Sequence, residues 1–285
     1  MIKNQLKTAM LLAALSGLLF LLGYWIGGTN GLFFAFILSL IINFVTYFYS
    51  DKIVLKMYGA KPLERDKYNY VYEMVDELTH NANIPMPKLW YIPTNMANAF
   101  ATGRNPGHAS VAVTQGILDV LDEHELRGVL SHELSHVKNR DILVATIAAT
   151  IATSIAYLAD MLRWTFIFGG SGDKDRGRGI GMIFIAILMP IAAMLIQLAI
   201  SRSREYLADE TGAKISHDPL ALASALEKLH YDVKNKNLKP KSNAQTSTAS
   251  LFIVYPFSAG GFVTLFSTHP PMEKRIAKLR KMAQY

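Results

Sequence analysis

The sequence predicts a mainly α fold: a multi-span helical membrane protein whose polar remainder is helical with a small β-sheet. Three observations predict it. Four segments of about twenty residues are almost free of charge, long enough at ~1.5 Å rise per residue to cross a ~30 Å hydrocarbon core. Mean hydropathy is positive, with 51% apolar and only 18% charged residues, where soluble chains carry about 25% charge. The polar stretches repeat their apolar residues mostly at helical spacing and contain two short β-like runs.

Taken in order, residues 1–50 form an N-terminal transmembrane hairpin, with spans over 10–28 and 31–49. Lys3 and Lys7 precede the first span as in a signal peptide. The second span follows after only Thr29 and Asn30, with no small-residue cleavage site, so the hairpin reads as uncleaved. Residues 51–141 are polar. Tyr70, Val71, Met74, Val75 and Leu78 predict a helix over Tyr68–Ala82; Pro87–Pro93 and Ala109–Thr114 read as strands, Gln115–Leu121 and about Glu123–Asn139 as helices. Residues 142–200 form a second hydrophobic hairpin. Its segment 142–159 ends at Asp160; its segment 180–200 carries Pro190 and Gln197, and a Gly-rich loop from Trp164 to Gly179 joins them. These two are either full spans or a shallower pair. Residues 201–285 are polar again, with helices near Ser203–Lys214, Leu220–His230 and Met272–Met282 and a mobile loop over Asn235–Ser250.

The charges orient this arrangement. Lys3 and Lys7 lie before the first span and Lys52, Lys56, Lys61, Arg65 and Lys67 soon after the second, while the loop between them is uncharged. Positive residues stay on the cytoplasmic side, which puts both termini and residues 51–141 there. The net charge of +7 flanks apolar segments instead of forming a basic patch with aromatics, so the partner it implies is a lipid bilayer and not nucleic acid. There is no cysteine. A disulfide framework is therefore excluded, and any metal must be held by His, Asp or Glu.

The chemistry is carried by His132-Glu133-Leu134-Ser135-His136. Histidines four apart share one face of a helix, so both imidazoles can reach one zinc ion. The adjacent glutamate can take a proton from a water that the ion acidifies, which makes this pattern a signature of metal-assisted hydrolysis. A chain of this length contains it by chance on the order of one time in a hundred, so the surroundings must decide.

They supply a third ligand. Asn139 and Ile142 stand where a metzincin needs Gly and His, which excludes that class. Glu205-Tyr206-Leu207-Ala208-Asp209 has the spacing of a gluzincin's later helix, with Glu205 as ligand and Asp209 accepting the free N–H of a ligand histidine. An ion pair on a charged helix face is the alternative for Glu205, given Arg202 and Arg204. The two half-sites meet only if residues 142–200 return the chain to its starting side. Asn98-Ala99-Phe100 is either a substrate-binding edge strand or a turn between strands. His269, in the stiff Thr268-His269-Pro270-Pro271 loop, either donates to the oxyanion of a tetrahedral intermediate or caps the last helix. His80, His108, His124, His217 and His230 have no partner pattern.

Together these residues resemble HtpX, a family of bacterial membrane zinc proteases related to Ste24. The likeness spans the N-terminal hairpin, Asn98-Ala99-Phe100-Ala101-Thr102-Gly103, His132 to Asp141, Ser201 to Asp209 and Thr268 to Pro271. It implies a gluzincin-like zinc metalloprotease domain facing the cytoplasm in the inner membrane, engaged in quality control of misfolded or damaged membrane proteins. It further implies one Zn2+ per chain on His132, His136 and Glu205, with Glu133 as general base. Substrates would be membrane proteins or unfolded polypeptides. No phosphate-binding loop is present, so no role for ATP is expected.

Three rivals stand beside this reading. A protease cutting inside the bilayer is disfavoured by Asp122, Glu123, Glu125, Arg127, Lys138, Arg140 and Asp141 around the motif. Ste24-like processing of prenylated proteins is disfavoured by the smaller number of spans. A non-catalytic scaffold with a structural zinc would call for four protein ligands where three are found.

Overall fold

The computed structural model describes residues 2–168, 176–236, 253 and 270–284. Within them the chain forms helices α1 (Ile2–Met57), α2 (Asn69–Ala82), α3 (Gln115–Val120), α4 (Glu123–Lys138), α5 (Asp141–Phe168), α6 (Arg176–Ser216), α7 (Pro219–Lys236) and α8 (Met272–Met282). Strands β1 (Lys61–Pro62), β2 (Lys88–Ile92), β3 (Ala99–Thr102) and β4 (Ser110–Thr114) form one sheet in the order β1-β2-β4-β3. The fold is mainly helical with a small mixed sheet.

Two compact units share the chain. One holds the residues through Asn4, Phe48–Leu143 and Arg202–Tyr285; the other holds Gln5–Tyr47 and Val144–Ser201.

In the first unit the sheet is parallel only between β2 and β4, where Lys88 faces Ser110 and Ile92 faces Thr114. Strand β3 runs antiparallel to β4, with Phe100 opposite Ala112. The core joins Val71, Val75 and Leu78 of α2 to Val129, Leu130 and Leu134 of α4 and Leu222, Leu226 and Leu229 of α7. Helix α4 starts where Asp122 and Glu125 close a capping box: the Asp122 carboxylate accepts from the Glu125 N–H at 2.9 Å and the Glu125 carboxylate from the Asp122 N–H at 3.2 Å. Gly128 lets α4 and α7 touch backbone to backbone, since a Cβ there would stand 2.5 Å from the Leu222 nitrogen.

In the second unit Leu15, Leu19 and Leu22 of α1 pack with Ala148, Ile155 and Leu158 of α5 and Ala186, Ala193 and Ile200 of α6. Among the described residues one helical stretch, Ile185–Ser216, is long and apolar enough by length and composition to cross a membrane.

Three expectations are corrected. No loop separates 10–28 from 31–49: helical residues run unbroken through Thr29 and Asn30, from Ile2 to Met57. Within that run Gly28 has a left-handed φ of 56°. The segment expected to end at Asp160 continues as helix to Phe168, because one charged side chain at a helix surface breaks no backbone hydrogen bond. The segment 180–200 and the expected helix Ser203–Lys214 are one helix, α6, with Pro190 inside it. The polar residues after Ser201 carry the same backbone ladder onward, so the change in composition marks no break. The greater part of the expected mobile loop, from residue 237 on, lies outside the described residues.

Candidate metal centre

Helix α4 presents His132 and His136 one turn apart, rings crossed at 87° with centroids 4.7 Å apart. Glu205 arrives from α6. The three form one cluster, each offering a ligand atom. His132 Nε2 and His136 Nε2 are 3.2 Å apart, His132 Nε2 and Glu205 Oε2 3.7 Å, and His136 Nε2 and Glu205 Oε1 3.5 Å. Ligands held at ~2.1 Å from a tetrahedral zinc are separated by about 3.4 Å, so the triangle has the size such an ion requires. His132 and Glu205 are 1% and 6% exposed. The buried carboxylates Glu133, Asp141, Glu205 and Asp209 outnumber the buried guanidinium of Arg275, an excess of negative charge that a divalent cation offsets.

Both imidazoles have a carboxylate beside their other nitrogen. His132 Nδ1 stands 3.1 Å from Asp209 Oδ1. His136 Nδ1 stands 2.7 Å from Asp141 Oδ2. An Nδ1–H given to a carboxylate leaves Nε2 as the lone-pair donor, and the Nε2 atoms are the ones that converge. Burial alone would lower the basicity of His136. The Asp141 and Glu205 carboxylates overcome it, and in the metal-free protein its pKa is raised to about 9.

Glu133 lies beside the triangle and is buried, 6% exposed. Burial pushes its carboxyl above the usual carboxylate range, against the pull of His132, His136 and the Ala101 N–H. That N–H donates to Glu133 Oε2 at 2.8 Å, so the acid is tethered to β3, the sheet's edge strand.

Of the predicted triplet, Ala99 and Phe100 lie in β3 and Asn98 precedes it. The Asn98 carbonyl accepts from the Thr114 N–H and its side chain from the Ile253 N–H at 3.1 Å. Antiparallel alternation then turns the main chain of Phe100 toward β4 and that of Ala99 and Ala101 off the sheet. Asn98, Ala99 and Phe100 are all buried, whereas Ala101 is only half-buried. On the side away from β4, the Ala101 N–H is taken by Glu133 Oε2. Phe100 packs with Leu55, Ile92 and Ala112.

Arg275 was not foreseen. It is fully buried and grips Asp209 with two hydrogen bonds, Nε to Oδ2 at 2.9 Å and Nη2 to Oδ1 at 2.7 Å. Its Nη1 lies 3.3 Å from Glu205 Oε2. Burial alone would make it easier to deprotonate, but Asp209 and Glu205 hold it charged, its pKa raised above the ordinary arginine value. A signal existed: Arg275 and Leu279 lie four apart on the buried face of α8, so an arginine occupies the apolar stripe of the helix. Asp141 gave no such signal, because the turn that returns it to His136 is a matter of backbone conformation. His269 lies outside the described residues. His80, His108, His124, His217 and His230 are exposed.

Comparison with known proteins agrees with this chemistry. Residues 65–283 match the profile of peptidase family M48. The chain is 52% identical over 283 residues to a protein named Protease HtpX homolog from Thermococcus sibiricus, covering 98% of this chain and 96% of that one. It is 53% identical to a protein of the same name from Syntrophobacter fumaroxidans, covering 98% and 99%. In fold it is similar to the crystal structure of S. mikatae Ste24p, with a TM-score of 0.58 at 18% identity, covering 98% of this chain and 66% of that longer one. The chain belongs to peptidase family M48 and is a metalloprotease.

Proposed function

We propose that this metalloprotease is a zinc-dependent endopeptidase of the inner (plasma) membrane, its active site facing the cytoplasm, that hydrolyses peptide bonds in cytoplasmic segments of misfolded or damaged membrane proteins. The observation that carries the reading is the convergence of His132 Nε2 and His136 Nε2, 3.2 Å apart, on the Glu205 carboxylate, whose Oε2 lies 3.7 Å from the first and Oε1 3.5 Å from the second, with Glu133 at their side.

Two imidazoles and one carboxylate are a donor set of zinc sites that keep an open position. Zinc, when bound, supplies a Lewis acid and brings the pKa of water to about 7. Glu133 takes the proton of the attacking water and delivers it to the leaving amine. The Ala101 N–H holds one Glu133 oxygen, which fixes the other for that transfer. A substrate laid as an added strand along the half-buried end of β3 would be read through its main chain, which suits a protease of broad sequence tolerance.

Support for the membrane comes from the apolar stretch Ile185–Ser216 and from the outward side chains of α1. Leu21 is 69% exposed, Tyr24 72% and Phe33 67%, apolar surface that lipid covers at no desolvation cost.

Purified wild type and Glu133→Ala test the reading together. Both should hold about one zinc per chain, because Glu133 is not a ligand, and only wild type should cleave a membrane-protein substrate. A Glu133→Ala variant that cleaves at the wild-type rate overturns it.

A further inference from the structure

Asp141 is the first residue of α5 and is 3% exposed. It follows a two-residue reversal at the end of α4: Asn139 is still right-handed, with φ −79°, and Arg140 is left-handed, with φ 55°. The Arg140 N–H donates to the Val137 carbonyl, and the Leu143 N–H donates to the Arg140 carbonyl, both at 3.1 Å. This tight turn carries the chain back so that a residue five positions on puts its carboxylate 2.7 Å from His136 Nδ1. An extended linker would have sent Asp141 away from the ring.

The backbone of Asp141 is held from a second direction. Arg204 Nη1 donates to the Asp141 carbonyl oxygen, and Arg204 is the residue immediately before Glu205 on α6. One guanidinium thus ties the start of α5 to the turn of α6 that carries the third ligand.

We infer that Asp141 is a positioning residue for the reaction: it aims His136 Nε2 at the ion, and Arg204 locks it there, so that the second histidine and Glu205 are set by a single clasp. The inference rests on the reading of His132, His136 and Glu205 as the metal ligands. Without the carboxylate the imidazole is free to rotate about χ2 and to take the other tautomer, and each departure removes a directed lone pair from the site. Loss of such a partner commonly costs 10–100-fold in metal affinity or activity.

The test uses the full-length protein in detergent, with zinc affinity read by competition against a chromophoric chelator and ligand geometry read from the visible absorption of the Co2+-loaded protein. Asp141→Asn should bind zinc about 10–100-fold more weakly, alter the Co2+ spectrum, and lower kcat with KM unchanged. Arg204→Lys keeps the charge but loses the reach of the fork, and should show a smaller loss of the same kind. Arg140→Gly preserves a left-handed turn and should bind as wild type, whereas Arg140→Val forbids it and should match Asp141→Asn. Wild-type affinity and spectrum in Asp141→Asn overturn the clasp. Undiminished zinc affinity in Glu205→Ala overturns the metal-site reading beneath it, so the two failures are distinct. If Asp141→Asn does not fold, the Arg140 pair decides alone: equal zinc affinity in Gly and Val variants overturns the clasp.

Discussion

Gly212 of α6 lies against the backbone of His132: a Cβ at position 212 would stand 3.1 Å from both the His132 nitrogen and its Cα. This close approach brings Glu205 and Asp209, on the same helix, within reach of the histidines of α4. Alanine there needs a shift of a few tenths of an ångström, and its better helix propensity, about 1 kcal/mol over glycine, offsets much of the cost. A branched side chain forces the helices apart. Gly212→Ala should keep near-wild-type zinc affinity, and Gly212→Val should lose at least about tenfold, roughly 1.4 kcal/mol, in a chelator competition. Equal affinities in the two variants would show that the helix spacing does not set the site.

Arg275 neutralises Asp209 in a fully buried pair. Removing one partner of such a pair leaves an uncompensated charge, at a cost of about 3–5 kcal/mol. Arg275→Met should lower the unfolding free energy of metal-free protein, read from urea titration, by an amount of that order. Arg275→Met together with Asp209→Leu should recover a large part of it, because no orphaned charge remains. A double variant no more stable than the single one would assign the loss to packing.

Protons compete with the ion at His136. Its raised pKa of about 9 in the metal-free protein means that binding a cation expels a proton below that pH, and apparent affinity should tighten by up to about tenfold per pH unit between roughly 7 and 9. The metal-free protein behaves in the opposite sense. A histidine raised from 6.5 to about 9 stabilises the fold fully below about 6.5, and that contribution fades as pH climbs through 9. Melting curves with zinc and with chelator, taken at pH 6.5 and 9, should therefore diverge as pH rises. A gap that narrows instead would contradict the assignment.

The tether between Ala101 and Glu133 is open to a single substitution. Ala101→Pro removes the N–H that donates to Glu133 Oε2, at an edge position facing away from β4, where proline is tolerated. Zinc content should be unchanged and kcat should drop by about tenfold or more, the scale of losing one positioned hydrogen bond in a transition state. Unaltered kcat would detach the strand from the chemistry.

Chelation removes the cation that balances Glu133, Asp141, Glu205 and Asp209. Metal-free protein should melt at a lower temperature, being less stable than the zinc form by RT ln(1 + [L]/Kd), about 2.7 kcal/mol at a hundredfold excess over Kd. Substituting His136→Ala should abolish the zinc-dependent shift, and a shift that survives would place the stabilising ion elsewhere.

How much of this was legible beforehand follows from the range of the interactions. His132, Glu133 and His136 are set by the helical repeat alone, and so is the pairing of Glu205 with Asp209; local spacing needs no knowledge of the rest of the chain. The strands at Lys88–Ile92 and Ser110–Thr114 and the helices α2, α4 and α8 were likewise written in the alternation of apolar and polar residues. The expected break at Thr29 and Asn30 failed for a local reason too: two polar residues do not by themselves interrupt a backbone ladder, and helical residues run on from Ile2 to Met57. The seam between 180–200 and Ser203–Lys214 failed because polarity changes along α6 while the backbone ladder continues.

The sequence by itself thus determined which candidate ligands share a helix face and which stretches are apolar, since both depend on neighbours within a turn or two. Only the tertiary structure decided that Arg275 is the buried counter-charge of Asp209, that Asp141 belongs to His136, and that the Ala101 N–H of the edge strand holds Glu133. Those assignments join residues far apart in the chain or turn on one left-handed φ angle, and no periodicity records where two distant backbones approach so closely that only glycine fits between them without a shift.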